Sequence, residues 1–287
     1  LSIICRQGFS VEYFIEGGRS RTGRLLPPRP GMLAMTVRAF LRNRNRNFLF
    51  MPIYIGYERL LEGDTYLGEL QGKAKKQESV FGIFKTLGRI KGSFGKVHLN
   101  FGKPILLDDV LNKNNPHWRD ADYNDEDPPS WVKESIENLG TEINTRINKA
   151  AVANPVNLLA LVMLATRNHT MDENSLRKQL DFYLEILRKV PYSDTMVVPD
   201  CSGTDIINHC KKLNIIETRE HVFGKIMTLG SKHAILMTYF RNNAIHLLVL
   251  PSMLACFLVN NPKTTLSEMK RICMMAYPLL QNELFLH

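Results

Sequence analysis

Apolar residues in the first third of the chain fall into short runs of two different periods, the pattern of helices laid on strands. Val11-Glu12-Tyr13-Phe14-Ile15 reads as a strand running into Glu16-Gly17-Gly18, a turn that glycines make easily. Between Gly31 and Arg42 the residues Met32, Met35, Val37, Ala39, Phe40 and Leu41 recur at helical spacing, so one face of this segment should pack on a sheet. Phe48 to Ile55 is almost continuously apolar, as in a strand buried on both faces. Ser79 to Ile90 reads as a helix, and Lys96 to Phe101 alternates as another strand.

The pattern changes after residue 115. Asp120 to Pro129 is acidic, ends in prolines and cannot bury much, so 116–129 is taken as a linker. Beyond it the helical period dominates, in Ser130 to Ala153, Val156 to Thr166 and Thr170 to Lys189. Capping boxes are read at Thr170-Met171-Asp172-Glu173 and at Thr265-Leu266-Ser267-Glu268. Ile215 to Thr238, broken at Gly224 and Gly230, suggests a small hairpin. Ala244 to Val259 is too short for a membrane span and contains His246 and Pro251; His246 is read as a core residue. The expected architecture is an α/β domain over 1–115, a mixed sheet flanked by helices and truncated at its N-terminal side, then a mainly α-helical domain over 130–287. The chain opens at Leu1 and stops at Leu286-His287 inside an apolar helical pattern, so it reads as an interior fragment.

Composition narrows the function classes. With 44% hydrophobic and 23% charged residues the chain is ordinary globular material, and a net charge of +9 favours an anionic partner. The five cysteines show no C-x-x-C spacing and mostly sit in apolar runs, which reads as buried reduced thiols in a cytosolic setting. No H-E-x-x-H occurs and no metal is expected. Arg38, Arg42, Arg44 and Arg46, with the lysines between Lys73 and Lys96, form either ordinary solvated surface or a face for an anionic membrane or an acidic protein. Nucleic acid is not expected, because asparagines rather than aromatics separate Arg42, Arg44 and Arg46.

The chemistry concentrates in Tyr13-Phe14-Ile15-Glu16-Gly17-Gly18-Arg19-Ser20-Arg21-Thr22-Gly23-Arg24. Arginines beside glycine amides and hydroxyls suit a phosphate monoester, since each planar fork donates two hydrogen bonds and glycine permits close approach. Judged on residue types alone, a solvated basic loop is the better fit. No Walker-type loop is present.

A resemblance decides between them. Phe14 to Arg21 resembles the F-x-E-G-x-R-S-R block of the glycerolipid acyltransferases, Met51-Pro52-Ile53-Tyr54-Ile55 their later proline block, and Phe101-Gly102-Lys103-Pro104-Ile105 their F-G-x-P-I element. Pro52 to Glu58, Tyr239-Phe240-Arg241-Asn242-Asn243 and Leu248 to Pro251 are similar to the bacterial membrane-associated branch that acts on glycerol 3-phosphate. The resemblance implies acyl transfer to the sn-1 hydroxyl of glycerol 3-phosphate, the first step of phospholipid synthesis. Acyl carrier protein or coenzyme A would deliver the acyl group as cosubstrate, with no further cofactor, at the cytoplasmic face of the inner membrane. It further implies that Arg19 and Arg21 bind the phosphate, Ser20 donates to it or supports them, Glu16 and Gly17 shape the loop, and Pro52 positions the wall of the site. The catalytic His-x-x-x-x-Asp block of the family belongs several tens of residues before Glu16, and no histidine precedes Glu16 here. This chain is therefore expected to carry the phosphate-binding block alone and to be inactive by itself. His117 to Asp122 fits the pattern literally but follows the arginine block in a polar segment, so it is set aside. The alternatives are a dihydroxyacetone-phosphate acyltransferase or a non-catalytic basic module on anionic membrane.

Overall fold

The computed structural model of the chain describes residues 1–44, 46–60, 95–222 and 224–287. Helices predominate over strands. After a short helix α1 (Ser2–Gln7), helix α2 (Pro30–Arg42) starts at a proline, where a missing N–H costs nothing because the first turn has no partner for it. Among the described residues four short strands follow: β1 (Leu49–Phe50), β2 (Ile53–Tyr57), β3 (Val97–Phe101) and β4 (Ile105–Leu106). They form two antiparallel ladders, β1 with β4 and β2 with β3, with Leu49 opposite Leu106 and Ile53 opposite Phe101. Helices α3 (Leu107–Asn114) and α4 (Ser130–Lys149) complete this region. Leu33, Val37 and Phe40 of α2 pack with Leu107 and Leu111 of α3 and with Val132, Ile136, Leu139 and Ile143 of α4 around buried Trp118. The buried positions of α4 thus recur every three or four residues, as an amphipathic helix requires.

A second core centres on α5 (Pro155–Leu164), where Asn154 caps the helix by accepting from Asn157 N–H at 2.9 Å. Its residues are apolar nearly all round and buried nearly all round, which is the behaviour of a central helix. Around it lie strand β5 (Thr170–Asp172), α6 (Glu173–Lys189), α7 (Gly203–Lys212), the hairpin β6 (Glu217–His221) with β7 (Gly224–Thr228), and α8 (Ser231–Ala244). The strand order is β5-β7-β6, all antiparallel. The chain ends in α9 (Val249–Asn260) and α10 (Leu266–Leu284). Ile147 of α4 packs against both cores and joins them.

A buried carboxylate makes a further junction. Glu58, just past β2, accepts from Lys96 N–H at 2.7 Å, meets His98 Nε2 of β3 at 2.9 Å and His209 Nε2 of α7 at 2.8 Å, and its side chain has no exposed surface. Burial works against its ionisation, but these three hydrogen bonds outweigh burial and hold its pKa at about 2. His246, by contrast, is neutral: burial pushes its pKa down to about 4 while its Nε2 meets the Asn148 carbonyl at 3.2 Å.

Several sequence expectations need correction. Residues 11–14 form no strand, because a strand needs a neighbour for its backbone groups and the Ile15 carbonyl is instead taken by Arg29 N–H at 2.7 Å. The run from Phe48 to Ile55 is not one strand buried on both faces. It breaks at Met51-Pro52 into strands with different partners, and in β2 only Tyr54 and Gly56 are buried. The box read at Thr170 does not form, since Thr170 to Asp172 is a strand and Asp172 caps α6 through Ser175 N–H; the box at Thr265 forms as expected. Only Cys210 among the cysteines is buried, and Cys256 is exposed. The helix expected over Ser79 to Ile90, and the lysines from Lys73 to Lys91, lie outside the described residues.

The acidic segment 116–129 has neither helix nor strand, yet it is fastened down. Arg42 pairs with Asp125, and the Arg44 guanidinium donates to the Arg119 and Ala121 carbonyls and stands 5.8 Å from the Trp118 ring centre. Part of the supposed basic face is therefore committed inside the molecule. Helical continuity also lengthens the apolar stretch at Ala244. His233–Asn260 runs for 28 residues, long and apolar enough by length and composition to cross a membrane, although Met237, Phe240, Ala244 and Leu247 sit in the second core.

Candidate functional site

The arginine segment is a loop whose shape comes from hydrogen bonds rather than from apolar packing. Ile15 is buried at its root, and from Gly17 to Thr22 only Ser20 is partly covered. Gly17 turns the chain with φ 61°, its N–H donating to the Phe14 carbonyl at 3.0 Å. The Glu16 carboxylate reaches across the loop to accept from Leu26 N–H at 2.8 Å, and burial pushes its pKa up against the pull of that bond. Ser20 Oγ accepts from Gly23 N–H at 3.0 Å and Thr22 Oγ1 from Arg24 N–H at 3.3 Å. Arg19, Arg21 and Arg24 lie exposed along this frame.

Other elements hold the loop from outside. Asn144 Nδ2 of α4 donates to the Leu26 carbonyl at 2.9 Å, and Gly140 one turn earlier lets Pro28 lie against the helix. Asn242 Nδ2 of α8 donates to the Thr22 carbonyl at 2.8 Å. Gly23, with φ 80°, lies so close to the Tyr239 carbonyl that a Cβ would overlap it. Arg24 pairs with Glu283 of α10 at 2.9 Å. Glu16, Gly17, Arg19, Ser20 and Arg21 therefore share one loop, whereas Pro52 is buried between β1 and β2 with its carbonyl accepting from Gly102 N–H at 2.8 Å.

Residue-by-residue reading did not single out Asn144, Asn242 or the group of Glu58, His98 and His209. Asn144 carried a usable signal, a polar residue on the buried stripe of α4 between Ile143 and Ile147. Asn242 lay within a block quoted for its resemblance, with no role attached. His117 sits in a turn and its carbonyl accepts from Asp120 and Ala121 N–H. Among the described residues no group of three or more His, Cys, Asp or Glu is arranged to hold a metal ion.

The model of the glycerol-3-phosphate acyltransferase C-terminal region matches residues 66–287. The chain belongs to that family. The glycerol-3-phosphate acyltransferases of Pseudomonas aeruginosa (strain LESB58) and Pseudomonas fluorescens (strain SBW25) are each 46% identical over 286 residues, covering 100% of this chain and 34% of their own length. That of Pseudomonas syringae pv. syringae (strain B728a) is 45% identical over 280 residues, 98% of this chain and 34% of the relative. The chain thus spans about a third of the length of the curated relatives it matches. The family match includes Asn144, Asn242 and Glu283, while the arginine loop lies ahead of it, inside the span shared with the relatives.

Proposed function

We propose that this chain works within a glycerol-3-phosphate 1-O-acyltransferase and supplies the part that holds the substrate phosphate. The observation that carries this is the loop 16–24, where hydrogen-bonded turns and glycines set Arg19 and Arg21 on one exposed frame beside Ser20. Two guanidinium forks around a phosphate dianion fix the glycerol backbone, so that the sn-1 hydroxyl is presented to the thioester and not merely bound. Its oxygen attacks the carbonyl of an acyl thioester of coenzyme A or acyl carrier protein, the C–S bond breaks, and the thiol leaves with the proton. The base belongs to a His-x-x-x-x-Asp pair outside this chain, and Pro52 shapes the wall of the site. The reaction needs no further cofactor and starts phospholipid synthesis.

Residues 1–115 are read as the corresponding part of an acyltransferase-type α/β domain and 130–287 as its helical companion, whose first helix, α4, packs into the core of the first part. The protein sits peripherally on the cytoplasmic face of the bacterial inner membrane. Supporting that placement are the +9 charge and the apolar side chains that α9 and α10 leave exposed, among them Leu258, Val259, Met274, Met275 and Leu279.

Arg19→Ala and Arg21→Ala in the full-length enzyme test the reading. Each should raise the KM for glycerol 3-phosphate about tenfold or more while leaving that for the thioester unchanged, because a charge-assisted bond contributes about 1.5–3 kcal/mol. Lysine at either position should restore part of the loss, keeping charge without the fork. Folded alanine variants that keep normal glycerol 3-phosphate kinetics but lose affinity for the thioester would assign the loop to the acyl donor instead.

A further inference from the structure

We infer that Asn242 is a positioning residue for the substrate phosphate, acting through the peptide bond between Thr22 and Gly23; the inference rests on reading 16–24 as the phosphate loop. That peptide plane is held at both ends. Its carbonyl accepts from Asn242 Nδ2 at 2.8 Å and its N–H donates to Ser20 Oγ at 3.0 Å. A peptide unit is rigid, so fixing both groups fixes this plane, and through the Thr22 backbone it narrows the positions open to Arg21, the residue before. Asn242 is itself oriented: its Oδ1 accepts from Arg241 Nε at 3.2 Å and Nη2 at 3.1 Å, which turns the amide nitrogen toward Thr22. With 9% of its surface exposed, Asn242 makes this bond largely out of water.

Two further contacts point the same way. Gly23 has a left-handed φ of 80° and lies against the Tyr239 carbonyl, one turn before Asn242 on α8, so the helix leaves the loop no room to shift toward it. The loop supplies no apolar anchor of its own beyond Ile15, as Arg19, Arg21, Thr22 and Arg24 are exposed. The Tyr239–Asn243 block therefore acts on the substrate at one remove, as a template against which the arginine loop is cast.

The test uses the full-length enzyme with Asn242→Ala, Asn242→Asp and Asn242→Gln, with Arg21→Ala in parallel. Steady-state constants for both substrates and thermal unfolding are measured on each. Losing one neutral hydrogen bond predicts a rise of about three- to tenfold in the KM for glycerol 3-phosphate for Asn242→Ala, with the thioester KM unchanged and the unfolding temperature lowered only slightly. Asn242→Asp should be at least as impaired: its carboxylate still accepts from Arg241 but sets lone pairs against the Thr22 carbonyl. Asn242→Gln, which keeps a donor, should recover part of the loss. If Arg21→Ala raises the glycerol 3-phosphate KM and the Asn242 variants do not, the inference is wrong and the phosphate loop stands. If none of the four raises it, the phosphate loop itself is wrong, and the inference falls with it. A parallel rise in both Michaelis constants with a fall in unfolding temperature overturns positioning in favour of a structural role.

Discussion

The loop 16–26 and helix α5 reach a defined conformation by opposite routes. In α5 the side chains supply the order: Leu158, Leu159 and Met163 are completely buried, and the helix is enclosed by α6, α7 and α8. In the loop the arginine side chains are exposed, and order comes from backbone groups bonded to the side chains of Glu16, Ser20, Asn144 and Asn242. Apolar burial is non-directional, so a core tolerates small shifts, while a hydrogen bond fixes a carbonyl in space. A segment that must aim charged groups is better held by the second kind of contact. Stability and precision are thus lodged in different regions, and substitutions should separate them.

The largest effect is expected in the core. Leu159→Ala removes a fully buried side chain and should lower unfolding free energy by about 2–5 kcal/mol, while the folded fraction keeps its KM for glycerol 3-phosphate. A changed KM in the folded fraction would show that core packing reaches the loop, and the separation would fail.

Glu58 comes next, because it uses the loop's kind of contact at the junction of the two cores. Its folded pKa of about 2 lies below the ordinary value of 4.5, so its contribution is complete above pH 4.5 and is lost as pH falls through about 2. A displacement of that size corresponds to about 3 kcal/mol. Glu58→Gln should be less stable at neutral pH and should lose the steep part of the acid profile in urea or thermal unfolding. An acid profile unchanged by the substitution would remove Glu58 from the junction.

The smallest effect is expected at Glu283. Its pair with Arg24 is exposed on both sides, and such pairs contribute about 0–1 kcal/mol, screened by salt. Glu283→Gln should leave unfolding nearly unchanged and shift glycerol 3-phosphate kinetics less than Asn242→Ala does. A larger shift would make α10, and not α8, the main support of the loop.

Features with local causes were legible in the sequence. Helices α2, α4 and α6, the hairpin of β6 and β7 and the cap at Thr265 follow from periodicity and from residues within one turn of each other, although the hairpin ends at Thr228 and the residues from Ser231 to Thr238 read with it belong to α8. Features decided by distant partners were not. Val11 to Ile15 has the composition of a strand, but composition cannot say whether another strand lies alongside. The break at Pro52 shows the same limit: the residues on either side are equally apolar, and only pairing with β4 or β3 tells them apart. At the candidate site, the loop's own glycines, arginines and hydroxyls stand out by type. Asn144 and Asn242 do not, because asparagine is common on helices and their partners are 118 and 220 positions away.

That last separation bears on how the protein is made. A contact between Thr22 and Asn242 cannot form until helix α8 has left the ribosome, which at roughly 5–20 residues per second comes about 10–40 s after the loop itself emerges. Through that interval the arginines are synthesised but unset, and a nascent chain arrested before Asn242 holds every residue of the loop without its final form. Maturation of the loop is therefore timed by a helix that lies 220 positions further along the polypeptide.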